Sequence, residues 1–237
     1  MTARYAIYFV PERHSELYRF GASVLGYDCY SGHTIEPPSD APPDWQAVVG
    51  EPRRYGFHAT FKAPFRLRDG LTEAALRREF DEVARWQFVI DAGGLVVRSL
   101  GSFIALVPKT NCQPLNNLAA ECVRGFERYR APLTTADRGR RLAACLSPRQ
   151  IERLDRWGYP FVFEDFRFHM TLTGPLDEPE RGRALSYLRR KFEMLPRAHS
   201  LLVGQIVLVK QDGTAPFKVL QSAPLGNSPY LPFACSF

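Results

Sequence analysis

The stretch Phe57-His58-Ala59-Thr60-Phe61-Lys62-Ala63-Pro64-Phe65 decides the fold, because it returns in register as Phe168-His169-Met170-Thr171-Leu172-Thr173-Gly174-Pro175-Leu176. Phe, His, Thr and Pro recur at matching places, and the apolar positions between them match in kind. A helical pattern follows each copy after a short turn. Two copies of one ββα-like unit predict two lobes about an approximate twofold axis, built as a single bilobal domain over residues 1–237.

Side chains two apart on a strand share a face. His58, Thr60 and Lys62 therefore point one way, with Phe57, Ala59 and Phe61 opposite. In the second copy Arg167, His169, Thr171 and Thr173 share a face, opposite Phe168, Met170 and Leu172. The apolar faces are expected to cover helices. Packing around the pseudo-axis then lines one groove with both polar faces.

Such a groove suits a phosphodiester. A neutral imidazole takes a proton from an attacking water while a protonated one gives a proton to the departing alkoxide, and histidine reaches both states near neutral pH. Thr60 and Thr171 can donate to non-bridging oxygens where charge develops. Lys62 and Arg167 would add positive charge on the same faces. Tyr8, Tyr55 and Tyr159 are aromatic candidates for the groove wall. Neither copy sets carboxylates beside its histidine, so neither a metal site nor any other cofactor is expected. His14, His33 and His199 lie outside any motif and read as surface residues.

Outward from the repeat, Tyr5 to Val10 reads as a strand, and Leu17, Phe20, Val24 and Leu25 as a helix stopped by Gly26. Ser31 to Arg54 carries five prolines and reads as a long irregular excursion, either a binding loop or a mobile surface segment. Phe57 to Leu67 is the second strand region. Thr72 caps a helix that carries Leu76 and Phe80. Gln87 to Ile90, Leu95 to Leu100 and Ser102 to Val107 read as a meander with turns at Gly93-Gly94 and Gly101-Ser102. Leu115 to Phe126 is a helix, and Ser147-Pro148 opens another. Phe166 to Leu172 reads as a strand and Glu178 to Phe192 as a helix. Leu201 to Val209 with Phe217 to Leu220 reads as a closing hairpin. Strands joined by short turns among helices point to α+β with antiparallel sheets, not a doubly wound parallel sheet.

The 237 residues are 45% hydrophobic and 24% charged, enough apolar material for a core without disulfide or metal. Five cysteines, at 29, 112, 122, 145 and 235, show no paired metal spacing and read as reduced, mostly buried thiols of a cytoplasmic protein. No signal peptide or membrane-spanning run is visible. The net charge of +6 favours anionic ligands, but the basic residues are scattered and form no strand-tracking array. A small phosphorylated substrate accounts for this charge as well as RNA does. The chain is expected to act as a monomer.

The paired His-x-Thr motifs resemble those of the 2H phosphoesterase superfamily, which includes the LigT-like cyclic phosphodiesterases. Arg53 to Phe65, Arg4 to Glu12, Phe126 to Leu133, and Trp157-Gly158-Tyr159-Pro160 leading to Phe166–Thr173 further resemble the bacterial phosphonate-metabolism family DUF1045. This resemblance implies a bilobal LigT-like fold, two antiparallel sheets with flanking helices around a central cleft, and His58/Thr60 and His169/Thr171 as the active-site pairs. It also implies a place in carbon–phosphorus lyase catabolism, where a ribose 1,2-cyclic phosphate needs hydrolysis. The expected activity is metal-independent opening of a small cyclic phosphodiester. The alternatives are an esterase or ligase-like enzyme for RNA ends bearing a 2′,3′-cyclic phosphate, and a non-catalytic binder of phosphate ligands.

Overall fold

The structure is a computed structural model that describes residues 3–143, 145–196 and 199–226. In chain order it contains β1 (Arg4–Phe9), α1 (Glu16–Leu25), β2 (Tyr27–Asp28), β3 (His33–Thr34), α2 (Trp45–Val48), α3 (Gly50–Arg53), β4 (Ala59–Phe65) and α4 (Glu73–Arg85). There follow β5 (Ile90–Leu100), β6 (Phe103–Pro108), α5 (Gln113–Gly125), α6 (Thr135–Leu142), α7 (Pro148–Trp157), β7 (Met170–Thr171), α8 (Glu180–Glu193), β8 (Ser200–Val203), β9 (Gln205–Gln211) and β10 (Lys218–Pro224).

The fold is α+β, with two four-stranded antiparallel sheets ordered β10-β9-β1-β4 and β7-β6-β5-β8. Each copy of the repeated motif enters an outer strand, β4 in one sheet and β7 in the other. Each of these pairs with the strand that begins its own half, β4 on β1 and β7 on β6. The chain then crosses between the sheets in each direction. β5, which follows α4, pairs with β6, whereas after α8 the chain first adds β8 to β5 and only then crosses, at Gly204, to place β9 on β1.

The chain ends local elements where simple chemistry says it should. The Ser15 hydroxyl accepts from the Tyr18 amide at the start of α1, and Gly26 ends that helix in the left-handed region, φ 69°. Thr72 caps α4 through the Ala75 amide. Ser147 and Gln150 form a reciprocal capping box on α7.

Three expectations are corrected. Gly93-Gly94 is not a turn: β5 runs through it with a shift of register against β8, a bulge that Gly93 permits at φ 70°. The strand expected at Phe166 to Leu172 is only Met170–Thr171, because a 3₁₀ turn at Phe163–Asp165 and extended but unpaired backbone precede it. Leu201 to Val209 is not one strand, since the chain changes sheets at Gly204, with β8 on β5 and β9 on β1. The excursion 31–54 is not wholly irregular: it holds β3, α2 and α3 and is anchored by four buried residues, Trp45, Val48, Val49 and Pro52. Trp45 is buried, donates from its indole to the Val24 carbonyl at 2.9 Å and meets the Tyr187 ring edge-on.

Two core contacts place the motifs. Phe57, next to His58, is fully buried against α1, where a Cβ on Gly21 would come within 2.0 Å of its ring. Glycine at 21 is therefore a close-approach requirement. Phe168, next to His169, lies 6.0 Å from Phe9 and 6.1 Å from Phe61. The apolar faces of the two motifs thus partly cover each other in the seam between sheets. Large buried rings of this kind are worth several kcal/mol against truncation, about 3–5 for Phe to Ala.

Candidate active site

His58 and His169 are held by the same device. Nδ1–H of His58 donates to the Gly56 carbonyl at 2.8 Å, and Nδ1–H of His169 donates to the Arg167 carbonyl at 2.7 Å. A carbonyl can only accept, so it selects the tautomer with hydrogen on Nδ1 and leaves Nε2 as the nitrogen that can gain or lose a proton. The Thr60 hydroxyl then donates to Nε2 of His58 at 3.1 Å.

The two rings open into adjoining cavities. One, of about 390 Å³, is lined by His58, Thr60, Thr171, Tyr8, Tyr55, Tyr159 and others. The second, of about 400 Å³, has His169 in its wall. Thr60, Ala63, Phe103 and Tyr159 belong to both walls, so the two motifs meet across one shared partition. Both imidazoles are half-buried. Burial pushes the His58 ring down to about 4, and the neighbouring charge of His169 pushes the same way against the Gly56 carbonyl. Burial also lowers His169, opposed by the Arg167 carbonyl. Both rings are therefore neutral at pH 7.

The three tyrosines all reach this cleft. Tyr8 stacks on His58 with centroids 3.9 Å apart, and Tyr55 lies 6.1 Å from the same ring. Tyr159 stands in the partition, with the Arg141 guanidinium 5.0 Å from its ring centre. Arg167 reaches only the rim, where one guanidinium nitrogen donates to the Glu164 and Phe166 carbonyls at 2.9 and 2.7 Å.

Lys62 does not join them. It is buried, and its ammonium donates to the Val123 carbonyl at 2.8 Å and to Glu127 at 2.9 Å. The cause is a pair of bulges: β4 matches Thr60 to Tyr8, Lys62 to Ile7 and Phe65 to Tyr5. Each inserts one extra residue on β4, so strict alternation fails after Thr60. Lys62 turns toward α5, and Ala63 and Pro64 face the cavity instead. Thr173 is buried and spent on backbone, accepting from Ile104 N–H at 3.0 Å and donating to the Gly174 carbonyl at 2.9 Å.

Several cavity residues carry no motif. Arg4 shares a face of β1 with Tyr8, four residues on, so alternation alone could have found it. Arg141 comes from α6, whose arginines look like a solvated face in sequence. Glu51, Pro52 and Phe103 also line the wall. Glu51 and Pro52 are what the excursion 31–54 brings to the cleft.

Among the described residues no group of three or more His, Cys, Asp or Glu side chains is placed to hold a metal ion, and no helix is long and apolar enough to cross a membrane. Of the cysteines, 29 and 122 are buried, 112 is half-buried, 145 is exposed, and all four are free. Cys235 lies outside the described residues.

Comparison with known proteins gives three kinds of likeness. Two relatives named ribose 1,5-bisphosphate phosphokinase PhnN match, from Janthinobacterium sp. (strain Marseille) at 39% identity over 73% of this chain, and from Laribacter hongkongensis (strain HLHK9) at 35% over 74%. The chain spans about two fifths of their length, 39% and 41%. Among solved structures, E. coli LigT complexed with 3′-AMP aligns over 96% of this chain and 100% of its own, with 12% identity and a TM-score of 0.42. Kluyveromyces marxianus Usb1 aligns over 94% and 98%, with 13% identity and a TM-score of 0.37. The profile of a family described as "Protein of unknown function (DUF1045)" matches residues 60–218, two thirds of the chain. The chain belongs to the DUF1045 family.

Proposed function

We propose that the protein is a phosphoesterase that opens a small cyclic phosphodiester by two-histidine acid–base catalysis, with no metal in the chemical step. The observation that carries this is the matched tautomer device: two imidazoles on facing outer-strand motifs, each pinned through Nδ1 to the carbonyl two residues before it. One imidazole takes the proton from water as the water oxygen bonds to phosphorus. The other gives its proton to the ester oxygen as that P–O bond breaks. A cyclic diester and water thus become a phosphomonoester with a free hydroxyl.

His58 is the base and His169 the acid. His58 is the more reluctant to hold a proton and is further opposed by His169, so the first proton taken up by the pair rests on His169. An arriving phosphodiester anion favours that protonation. As the phosphodiester enters, the Thr60 hydroxyl swings from Nε2 of His58 to a non-bridging oxygen, freeing the base, Thr171 donates to the other, and Arg167 at the rim adds positive charge. Ribose 1,2-cyclic phosphate is the first substrate to try. It fits a cavity of about 390 Å³, and the relatives' name concerns a phosphorylated ribose.

Phosphorus NMR of chelator-treated protein with ribose 1,2-cyclic phosphate and 2′,3′-cyclic nucleotides tests this. New phosphomonoester, lost in His58→Ala and in His169→Ala, is the expected result. Full turnover in either variant defeats the assignment.

A groove of about 940 Å³ favours the RNA-end reading. It carries Arg98, Lys109, Arg124 and Arg167 against Glu121 and Glu164, with Asn111, Asn116 and Asn117, and shares Arg167 and Phe166 with the His169 cavity. That reading requires oligonucleotides to bind more tightly than mononucleotides, with steep salt dependence.

A further inference from the structure

Three arginines stand on the short helix α6, and only one lacks a carboxylate. Arg138 donates to Asp155 at 2.6 and 2.9 Å, and Arg140 is paired with Asp137. Arg141 makes no ion pair among the described residues, although it is half-buried, lines the His58 cavity and lies over the Tyr159 ring. Burial lowers its affinity for its proton and Arg4 pushes the same way, against Tyr159, Tyr55 and the Asp137 carboxylate, which is itself paired with Arg66 and Arg140. Arg4 lines the same cavity and is itself held by a neutral partner: Nε donates to the Gln211 side-chain oxygen at 2.8 Å, and the guanidinium packs over Phe217. That contact orients the cation without cancelling its charge.

Beside these cations lies an unmet polar group. The Tyr8 hydroxyl is buried with no hydrogen-bond partner among the described residues, a state that costs about 1–3 kcal/mol. Glu51 is the one carboxylate among the residues lining this cavity, and it is exposed. Two guanidiniums without carboxylates, walled by Tyr55 and Tyr159, form a half-made anion site. Burying a cation unpaired is costly, and a bound dianion offsets that cost. Arg4 packs over Phe217 and Arg141 over Tyr159, whereas His58 stacks on Tyr8, so cations and imidazole take different rings of the wall.

We propose that Arg4 and Arg141 form a second phosphate subsite, so that the substrate carries a terminal phosphomonoester in addition to the phosphodiester that the histidines open. This rests on the cleft being the phosphoester site and narrows its substrate to a doubly phosphorylated small molecule, a sugar phosphate in size. The terminal group is bound and not cleaved. It serves to position the cyclic ester between His58 and His169.

Binding and turnover test the subsite separately. Calorimetry with D-ribose 5-phosphate and with D-ribose is run on the full chain and on Arg141→Gln, Arg141→Lys, Arg4→Gln and Arg138→Gln, with melting curves showing that each variant is folded. The phosphate should tighten binding at least tenfold in the unsubstituted protein. Arg141→Gln and Arg4→Gln should lose most of that gain, Arg141→Lys should keep part of it, and Arg138→Gln should keep all. The kinetic counterpart is the ratio of kcat/KM for ribose 1,2-cyclic phosphate bearing a 5-phosphate over that for the same compound without it, expected to fall at least tenfold in Arg141→Gln. No phosphate-dependent gain in binding, or an equal fall for both cyclic substrates, overturns the subsite, the latter by assigning the arginines to the scissile phosphate. Arginine-dependent binding without turnover of any cyclic phosphate supports the subsite and defeats the hydrolase reading alone.

Discussion

The two motif histidines share one tautomer device, yet their surroundings differ. His58 enters a seven-residue outer strand, lies under the stacked ring of Tyr8 and receives a hydrogen bond from Thr60 at Nε2. His169 precedes a two-residue strand, has a carbonyl on Nδ1, and meets Phe103 at 5.7 Å in a tilted geometry. One imidazole is stacked and held at both nitrogens; the other is anchored at one. A repeated sequence thus selects the same tautomer in both rings, while burial by neighbours from distant segments sets how strongly the proton is held.

Exchange of single side chains tests that contrast, and the largest effect is catalytic. His58→Ala and His169→Ala should each lower kcat by about 10²–10⁴, the usual value of a positioned acid or base. Equal residual rates in both, read by phosphorus NMR, would match their acting as one unit.

The next effect is on stability. Gly21→Ala drives a methyl into the Phe57 ring and should cost about 1–3 kcal/mol, as overpacking does, with a matching loss in denaturant midpoint. Because Phe57 adjoins His58, activity should fall more than the remaining folded fraction explains. A silent Gly21→Ala would mean that the α1 contact does not position the first histidine.

Acidity gives a smaller, graded effect. His58 is depressed to about 4 in the fold against 6.5 for an ordinary histidine, so the unfolded chain binds its proton first. Stability should therefore decline as pH falls from about 6.5 to about 4, and His58→Gln should flatten that part of the melting-temperature profile. His169 is depressed in the same sense, and its substitution should flatten the profile less. The reverse order would exchange the enclosed and open roles.

The smallest expected change has the opposite sign. Tyr8→Phe deletes a buried hydroxyl that has no partner among the described residues while keeping the ring on His58, so the melting temperature should hold or rise slightly. A marked loss would show that the hydroxyl has a hydrogen bond to water in solution.

Much of the site was legible because it depends on short-range chemistry. The spacing of His58 and Thr60, and of His169 and Thr171, could be read as strand-face neighbours, and the cap residues Ser15, Thr72 and Ser147 announced their helices. What failed depended on partners far away in the chain. Lys62 was placed in the groove by alternation, but alternation assumes a regular ladder, and bulges against β1 turned it toward Glu127. Leu201 to Val209 was continuous by composition, and only the competing edges of β5 and β1 divide it. Arg141 left no trace because pairing of a surface arginine with a carboxylate, or its absence, is a tertiary fact.

The reciprocal crossing of β5 and β9 has a mechanical consequence. The chain leaves the first sheet once, after α4, and returns to it once, at Gly204, so the two sheets are tied together at two points and not by a single linker. Hinged opening would leave every ladder intact but would have to bend both crossings together. For the same reason neither half, cut out alone, retains a complete sheet, and a fragment bearing one histidine should not fold.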